Sequence, residues 1–181
     1  MTSKTKKITR IGVVAALYAT ITLVLGSISY VQIQFRISEV MTLLPLFGKE
    51  YILSLTIGCF LANVIGPYGV PDIILGTLAT FISVYLVYLT GKYMKGKKGY
   101  LIIASLWPTI VNAIIVGGVM LHGLFKLPLI LSILQVGFGQ FVVITIIGVP
   151  LFRFLNNKYS NNQIPIFNFI YREIRWNNKE E

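Results

Sequence analysis

The sequence predicts an all-α integral membrane protein: a bundle of six transmembrane helices, with a short second span and both termini in the cytoplasm. Three observations predict it. Of the 181 residues, 55% are hydrophobic and only 12% charged, about half the charged fraction of a soluble domain, which is too little to cover a water-soluble surface. Five long stretches contain no Asp, Glu, Lys or Arg, and each has about the 17 to 25 residues that a bilayer core requires. The 16 Lys and Arg residues sit at the ends of these stretches, a pattern that orients a membrane protein rather than one that grips nucleic acid.

The first apolar run is Ile11–Tyr30. Lys-rich residues precede it as they would in a signal peptide, but no A-x-A site closes the run, so a first helix is expected. Ile37–Gly48 carries one charge and as an α-helix would reach only about 18 Å. Tyr51–Pro71, Ile73–Gly91, Gly99–Leu121 and Leu127–Phe152 complete the set. Charge parity decides the short segment. If all six cross, 14 of the 16 basic residues fall on the cytoplasmic side, leaving Arg36 and Lys126 outside. With five crossings, the Lys92 to Lys98 cluster and the basic tail would lie outside, against the positive-inside rule. The second span must then be short, tilted or extended through Lys49 and Glu50. One membrane domain is expected over 1–158 and a polar tail over 159–181. In that tail Phe167, Ile170, Tyr171 and Ile174 recur at helical spacing, which fits either an amphipathic helix on an anionic surface or a solvated end.

In a bilayer the informative residues are polar, because an unpaired charge at the centre costs at least ~2.5 to 3.5 kcal/mol. The six-span topology places Glu39, Asn63, Asp72, Asn112, Gln135 and Gln140 in the outer half. A binding pocket open to the outside is the expectation. Each residue also has a plainer role: Asp72 after Pro71 suits a helix start, Arg36 and Glu39 are spaced for an ion pair, and the amides suit interhelical bonds. Trp107 precedes Pro108, a helix-bending residue, and Trp107 and Phe35 are flat enough to stack on an aromatic ligand. Tyr30 and Tyr68 fit an interfacial belt. Ala15 and Ala19 put two small side chains on one face of the first span, suited to a close contact with another helix.

The chain contains one cysteine, Cys59, and one histidine, His122, which excludes an internal disulfide and a multi-cysteine metal site. No phosphate-binding G-x-x-x-x-G-K-[ST] loop is present, so the chain has no nucleotide-driven motor. No cofactor or metal is expected. Two other function classes fit the composition: a stand-alone channel or facilitator, and a membrane enzyme with Glu39 and Asp72 as acid and base.

Several blocks resemble the queuosine-precursor transporter family called QueT. They are Val31-Gln32-Ile33-Gln34-Phe35-Arg36-Ile37-Ser38-Glu39, Gly58-Cys59-Phe60-Leu61-Ala62-Asn63, and Asp72-Ile73-Ile74-Leu75-Gly76-Thr77-Leu78-Ala79-Thr80. Trp107-Pro108, Asn112-Ala113-Ile114-Ile115-Val116-Gly117 and Gly148-Val149-Pro150-Leu151 continue the likeness. The chain departs from the family pattern at Gly139-Gln140, where Gly-Glu is expected. The resemblance implies the substrate-binding S component of an energy-coupling factor (ECF) transporter. Such a component binds a deazaguanine outside and docks on a membrane T component through Ala15 and Ala19; two cytoplasmic ATPases then drive release. It further implies a ligand set: Glu39 or Asp72 accepting the guanine-like N–H edge, Asn63 or Asn112 meeting its other polar atoms, Phe35 or Trp107 stacking, and Gln140 nearby. Arg36 is assigned to orienting Glu39. The expected partners are the small-molecule substrate, the T component, the ATPases and the lipid bilayer, with no nucleic acid.

Overall fold

A computed structural model describes residues 3–30, 35–94 and 96–160, and the described residues are helical without strand. Four helices are long and apolar enough to cross a membrane. They are α1 (Ser3–Val24), α4 (Asp72–Met94), α5 (Tyr100–Leu124) and α6 (Leu129–Phe154). Two shorter apolar helices stand between the first two, α2 (Ile37–Leu46) and α3 (Glu50–Ile65). The expected tail lies, from Asn161 onward, outside the described residues, as do Val31 to Gln34.

The helix boundaries follow local chemistry. Helix α1 gives way at Leu25 to a four-residue turn, Gly26–Ser29, where glycine and two serines interrupt the apolar run. Helix α3 stops at Gly66, short of the expected Pro71, because Gly66, Pro67 and Gly69 form a turn in which Gly69 takes φ +65°. Asp72 opens α4 directly after Pro71, the position where a proline's missing N–H costs nothing and a carboxylate meets the helix dipole. Gly99, at φ 84°, precedes α5.

The second segment is a 3₁₀ helix of ten residues. Its rise of about 2.0 Å per residue carries it about 20 Å, where an α-helix of the same length would reach about 15 Å. It does not run on through Lys49 and Glu50, since Glu50 already begins α3. The 3₁₀ winding thus stretches this short segment by about 5 Å relative to an α-helix of the same length.

Contacts at the two ends show how the segments alternate. At one end Arg10 pairs with Glu50 at 3.0 Å, Phe47 stacks on Phe152 at 4.8 Å, and Gly91 meets Leu46. Lys49, Lys92 and Arg153 lie beside these contacts in sequence, so we call this the basic end. At the other end the Tyr68 ring lies 6.4 Å from Tyr30 and 5.9 Å from Phe125. There the connections after α1, α3 and α5 gather.

Helix pairs approach closely at glycines. A Cβ on Gly58 would lie 2.8 Å from the Ala15 carbonyl oxygen and 2.9 Å from Tyr18 Cβ, and one on Gly117 would lie 2.8 Å from the Ser132 carbonyl oxygen. Such contacts hold helices by dispersion where lipid supplies no hydrophobic force. The core runs through Leu43, Val87, Ala104 and Ile144, joining α2, α4, α5 and α6, with a second cluster of Tyr18, Leu55, Cys59 and Val84 joining α1, α3 and α4. Outward, large apolar side chains such as Val13, Leu53, Phe81, Leu134 and Ile147 are exposed, as a bilayer-facing surface requires.

Candidate functional site

Toward the end opposite the basic one, α1 to α4 enclose a polar cluster. Arg36 sits in extended backbone just before α2, and its guanidinium spans the gap to two other helices. Its Nη2 pairs with Asp72 Oδ2 at 2.9 Å, and its Nη1 donates to Asn63 Oδ1 at 3.2 Å. Asn63 Nδ2 in turn donates to the Asp72 backbone carbonyl at 2.9 Å. The amide thus uses both its acceptor and its donor to bind the ion pair to α3. All three residues are buried: Arg36 is 4% exposed, and Asn63 and Asp72 are 0% exposed. A buried ion pair offsets its desolvation only when further hydrogen bonds complete it; Asn63 supplies one to the guanidinium, and Arg36 Nε and Asp72 Oδ1 are left without a protein partner.

Asn63 and Cys59 lie one turn apart on α3, facing Asp72, Gly76 and Thr80 on α4. The Cys59 thiol accepts from Asn63 Nδ2 at 3.4 Å and from Thr80 Oγ1 at 3.2 Å. Gly76 is required here, because a Cβ would collide with Asp72 Oδ1 and lie 2.8 Å from Asn63 Nδ2.

Glu39 stands beside this group on α2. Its Oε1 accepts the Tyr18 hydroxyl of α1 at 2.5 Å, and the neighbouring Ser38 shares a 2.6 Å hydrogen bond with Thr22. The cluster is covered at the loop end by aromatic rings. The Arg36 guanidinium lies 5.3 Å from the Tyr30 ring centroid. The Tyr30 hydroxyl donates to the Ala62 carbonyl and the Tyr68 hydroxyl to the Tyr30 carbonyl, each at 2.7 Å. Burial pushes both phenols above their ordinary pKa, so they remain donors at neutral pH. Both hydroxyls are bonded into the fold.

The expectations for individual residues divide. Arg36, Asn63 and Asp72 come together directly, with Glu39 on the adjoining helix. The Arg36 assignment changes, however: it is Asp72 across the bundle that Arg36 orients, not Glu39 three residues along. In a 3₁₀ helix residues i and i+3 eclipse, but Arg36 lies outside the helix, and its extended backbone aims it toward α4. Phe35 packs edge-on against Phe138 of α6 at 6.3 Å, the link from this cluster to the far helices. On those helices the polar residues within the bundle are neutral and bond in separate pairs, such as Thr145 donating to Ser105 at 3.0 Å. Trp107 Nε1 donates to Thr90 Oγ1 at 3.0 Å, Asn112 Nδ2 donates to the Pro108 carbonyl of its own helix at 3.0 Å, and Gln140 is buried with Oε1 lacking a protein partner.

Asp72, Asn112 and Gln140 share a further property. Asp72 is the first residue of a π-helical segment, and Asn112 and Gln140 each immediately precede one. Such segments interrupt α-helices frequently at functional sites.

Ala15 and Ala19 do not form a free face. Both are buried in the bundle, and Ala15 lies in the close contact with Gly58. The face they occupy also carries Tyr18 and Thr22, whose hydroxyls reach the Glu39 side of the cluster. Along the apolar part of α1, Gly12, Ala16 and Thr20 are small residues that stay open. Residues not expected at the site are Tyr18, Thr22, Ser38, Cys59, Gly76 and Thr80. The only signal for Tyr18 and Thr22 was a hydroxyl pair one turn apart in an apolar span.

A multi-pass helical membrane protein, with a buried ion-paired site set between its helices, is the class that fold and site define. A family model described as QueT transporter matches residues 8–157, and the chain belongs to that family of membrane transporters. Over 86 residues it is 43% identical to a protein of Lactococcus lactis subsp. cremoris (strain MG1363) named Queuosine precursor transporter QueT. The match covers 46% of this chain and 50% of that protein, so the chain spans about half the length of the curated relative it matches. No solved structure matches the chain significantly.

Proposed function

We propose that this chain is the high-affinity substrate-binding S component of an energy-coupling factor transporter in the cell membrane, and that it captures a queuosine precursor of the 7-deazaguanine type from outside. One observation carries the binding site. Among the described residues six buried side-chain N or O atoms lack a protein partner, and four belong to Arg36, Glu39, Asp72 and Gln140. Three of the four, Glu39 Oε2, Asp72 Oδ1 and Gln140 Oε1, are acceptors, and Arg36 Nε is a donor. A guanine-like base presents the complement: several N–H donors along its pyrimidine edge and one carbonyl acceptor. Phe35, beside Arg36, is the flat face for the ring, and stacking contributes about 1 to 3 kcal/mol per base in nucleic-acid binders; Trp107, bonded to Thr90 toward the basic end, lies away from the cluster. Asn63 holds the Arg36–Asp72 pair in place, and Asn112 is the further amide proposed to meet the ring's polar atoms.

All six segments cross in this reading, with both termini and the basic end in the cytoplasm, and the site opens outward. The positive-inside distribution supports it, as do the alternating ends and the 3₁₀ stretch of α2. The lack of a phosphate-binding loop in the sequence fits a chain whose energy comes from partners. The T component would meet the open Gly12, Ala16 and Thr20 stripe of α1, since the Ala15 and Ala19 face is already filled. Two ATPases would supply the energy.

Binding and transport must be separated to test this. The purified chain in liposomes should bind a deazaguanine without accumulating it, and uptake should appear only with a T component and ATPases present. Accumulation by the chain alone would establish a facilitator instead.

A further inference from the structure

The two carboxylates of the site differ in one respect. Asp72 has the Arg36 guanidinium at 2.9 Å. Glu39 has no ion-pair partner among the described residues: its Oε1 accepts only the Tyr18 hydroxyl, and its buried Oε2 accepts nothing. The titratable or charged groups sharing its surroundings are Tyr18 of α1, Cys59 of α3, Asp72 of α4 and Arg36 at the start of its own segment. Helices α5 and α6 add none, having no charged residue or histidine between Leu101 and Leu121 or between Leu129 and Phe152.

The charge count of the cluster then has a consequence. Arg36 and Asp72 cancel, so an ionised Glu39 would leave one negative charge uncompensated in a buried site within the bilayer, a costly state. A carboxyl in that position becomes neutral by holding a proton or by facing a cation. We propose that Glu39 does each in turn: it carries a proton without cargo and exchanges that proton for the ammonium of a cationic cargo. The site thereby prefers a deazaguanine bearing an aminomethyl cation to a neutral one.

The balance closes in both states. Without cargo, Arg36 is positive, Asp72 negative and Glu39 neutral. With cargo, the ammonium's positive charge faces the Glu39 carboxylate, and the released proton passes to solvent. A neutral deazaguanine meets a protonated Glu39 and releases nothing. For the cation, affinity falls about tenfold per pH unit as pH drops below the value at which Glu39 loses its proton, because the proton and the ammonium compete for one carboxylate. Above that pH the affinity is level. This proposal rests on the assignment of the site to a deazaguanine.

Titration calorimetry on the full purified chain tests it, using 7-deazaguanine with a 7-aminomethyl group and the same base with a neutral nitrile there. Heats measured in buffers of different ionisation enthalpy give the proton count. The expected result is release of about one proton per aminomethyl base and none per nitrile base, with the cation bound about tenfold or more tighter, in the range of a desolvated charge-assisted bond. Glu39→Gln should abolish proton release and bring the two affinities within about threefold. Tyr18→Phe, which removes the one donor to the carboxylate, should move the pH of affinity loss upward while keeping the exchange. Equal binding of both bases with no proton release in the unaltered chain would overturn the exchange and leave the deazaguanine site standing. Binding of neither base would overturn both.

Discussion

The helices before the Lys92 to Lys98 connection and those after it solve the problem of polar groups in a bilayer in opposite ways. Helices α1 to α4 bring Tyr18, Arg36, Glu39, Asn63 and Asp72 into one network in which every residue bonds another element. Helices α5 and α6 carry only neutral polar groups within the bundle: Thr145 of α6 donates to Ser105 of α5 at 3.0 Å, Asn112 bonds its own backbone, and Gln140 has a bare acceptor. Between α5 and α6 an apolar cleft of about 580 Å³, lined by residues such as Ile114, Leu134 and Phe138, faces outward. The difference teaches that full charges must be locked together wherever they are buried, whereas neutral amides tolerate isolation. In the proposed reading the first half-bundle therefore supplies the charged frame of the site, and the second adds neutral amides to it.

Breaking the charged half should have the largest effect. Asp72→Ala leaves the Arg36 charge buried and unpaired, and the expected loss is about 3 to 5 kcal/mol. It should appear as a large fall in the thermal unfolding midpoint in detergent. Replacing Arg36 and Asp72 together by Leu should restore most of that stability but not deazaguanine binding; a double variant as unstable as Asp72→Ala would contradict the pairing. Next comes Gly76→Ala, whose methyl group pushes on Asp72 and Asn63. Overpacking of this kind costs about 1 to 3 kcal/mol, and binding should weaken with it.

The second half-bundle predicts the opposite sign. Gln140→Leu removes a buried acceptor that has no partner, so stability should hold or rise by about 1 kcal/mol while deazaguanine affinity falls. A drop in both would mean that Gln140 is structural and the comparison too sharp. The smallest effect belongs to the basic end. Arg10→Ala breaks the pair with Glu50, and because this pair lies at the end opposite the cluster, deazaguanine affinity should be unchanged.

Much of the candidate site was legible because lipid makes polar residues conspicuous. Arg36, Glu39, Asn63 and Asp72 stand out against apolar spans by composition alone, and their common depth followed from counting crossings. Their pairing did not. Arg36 and Glu39 are three residues apart, and local spacing pairs them, but the extended backbone before α2 sends the guanidinium across to Asp72. Tyr18 was hidden because a tyrosine in an apolar run is unremarkable until a carboxylate is found opposite its hydroxyl.

Helicity and the position of the connections were determined by the sequence alone: runs of apolar residues broken by glycine, proline and lysine permit little else in a bilayer, where every backbone group must bond within its own segment. Only the tertiary structure decided which face of α1 turns inward, because the Ala15 and Ala19 face and the Gly12, Ala16 and Thr20 face are equally small. It is the contact with Gly58, and the reach from Tyr18 to Glu39, that chooses between them.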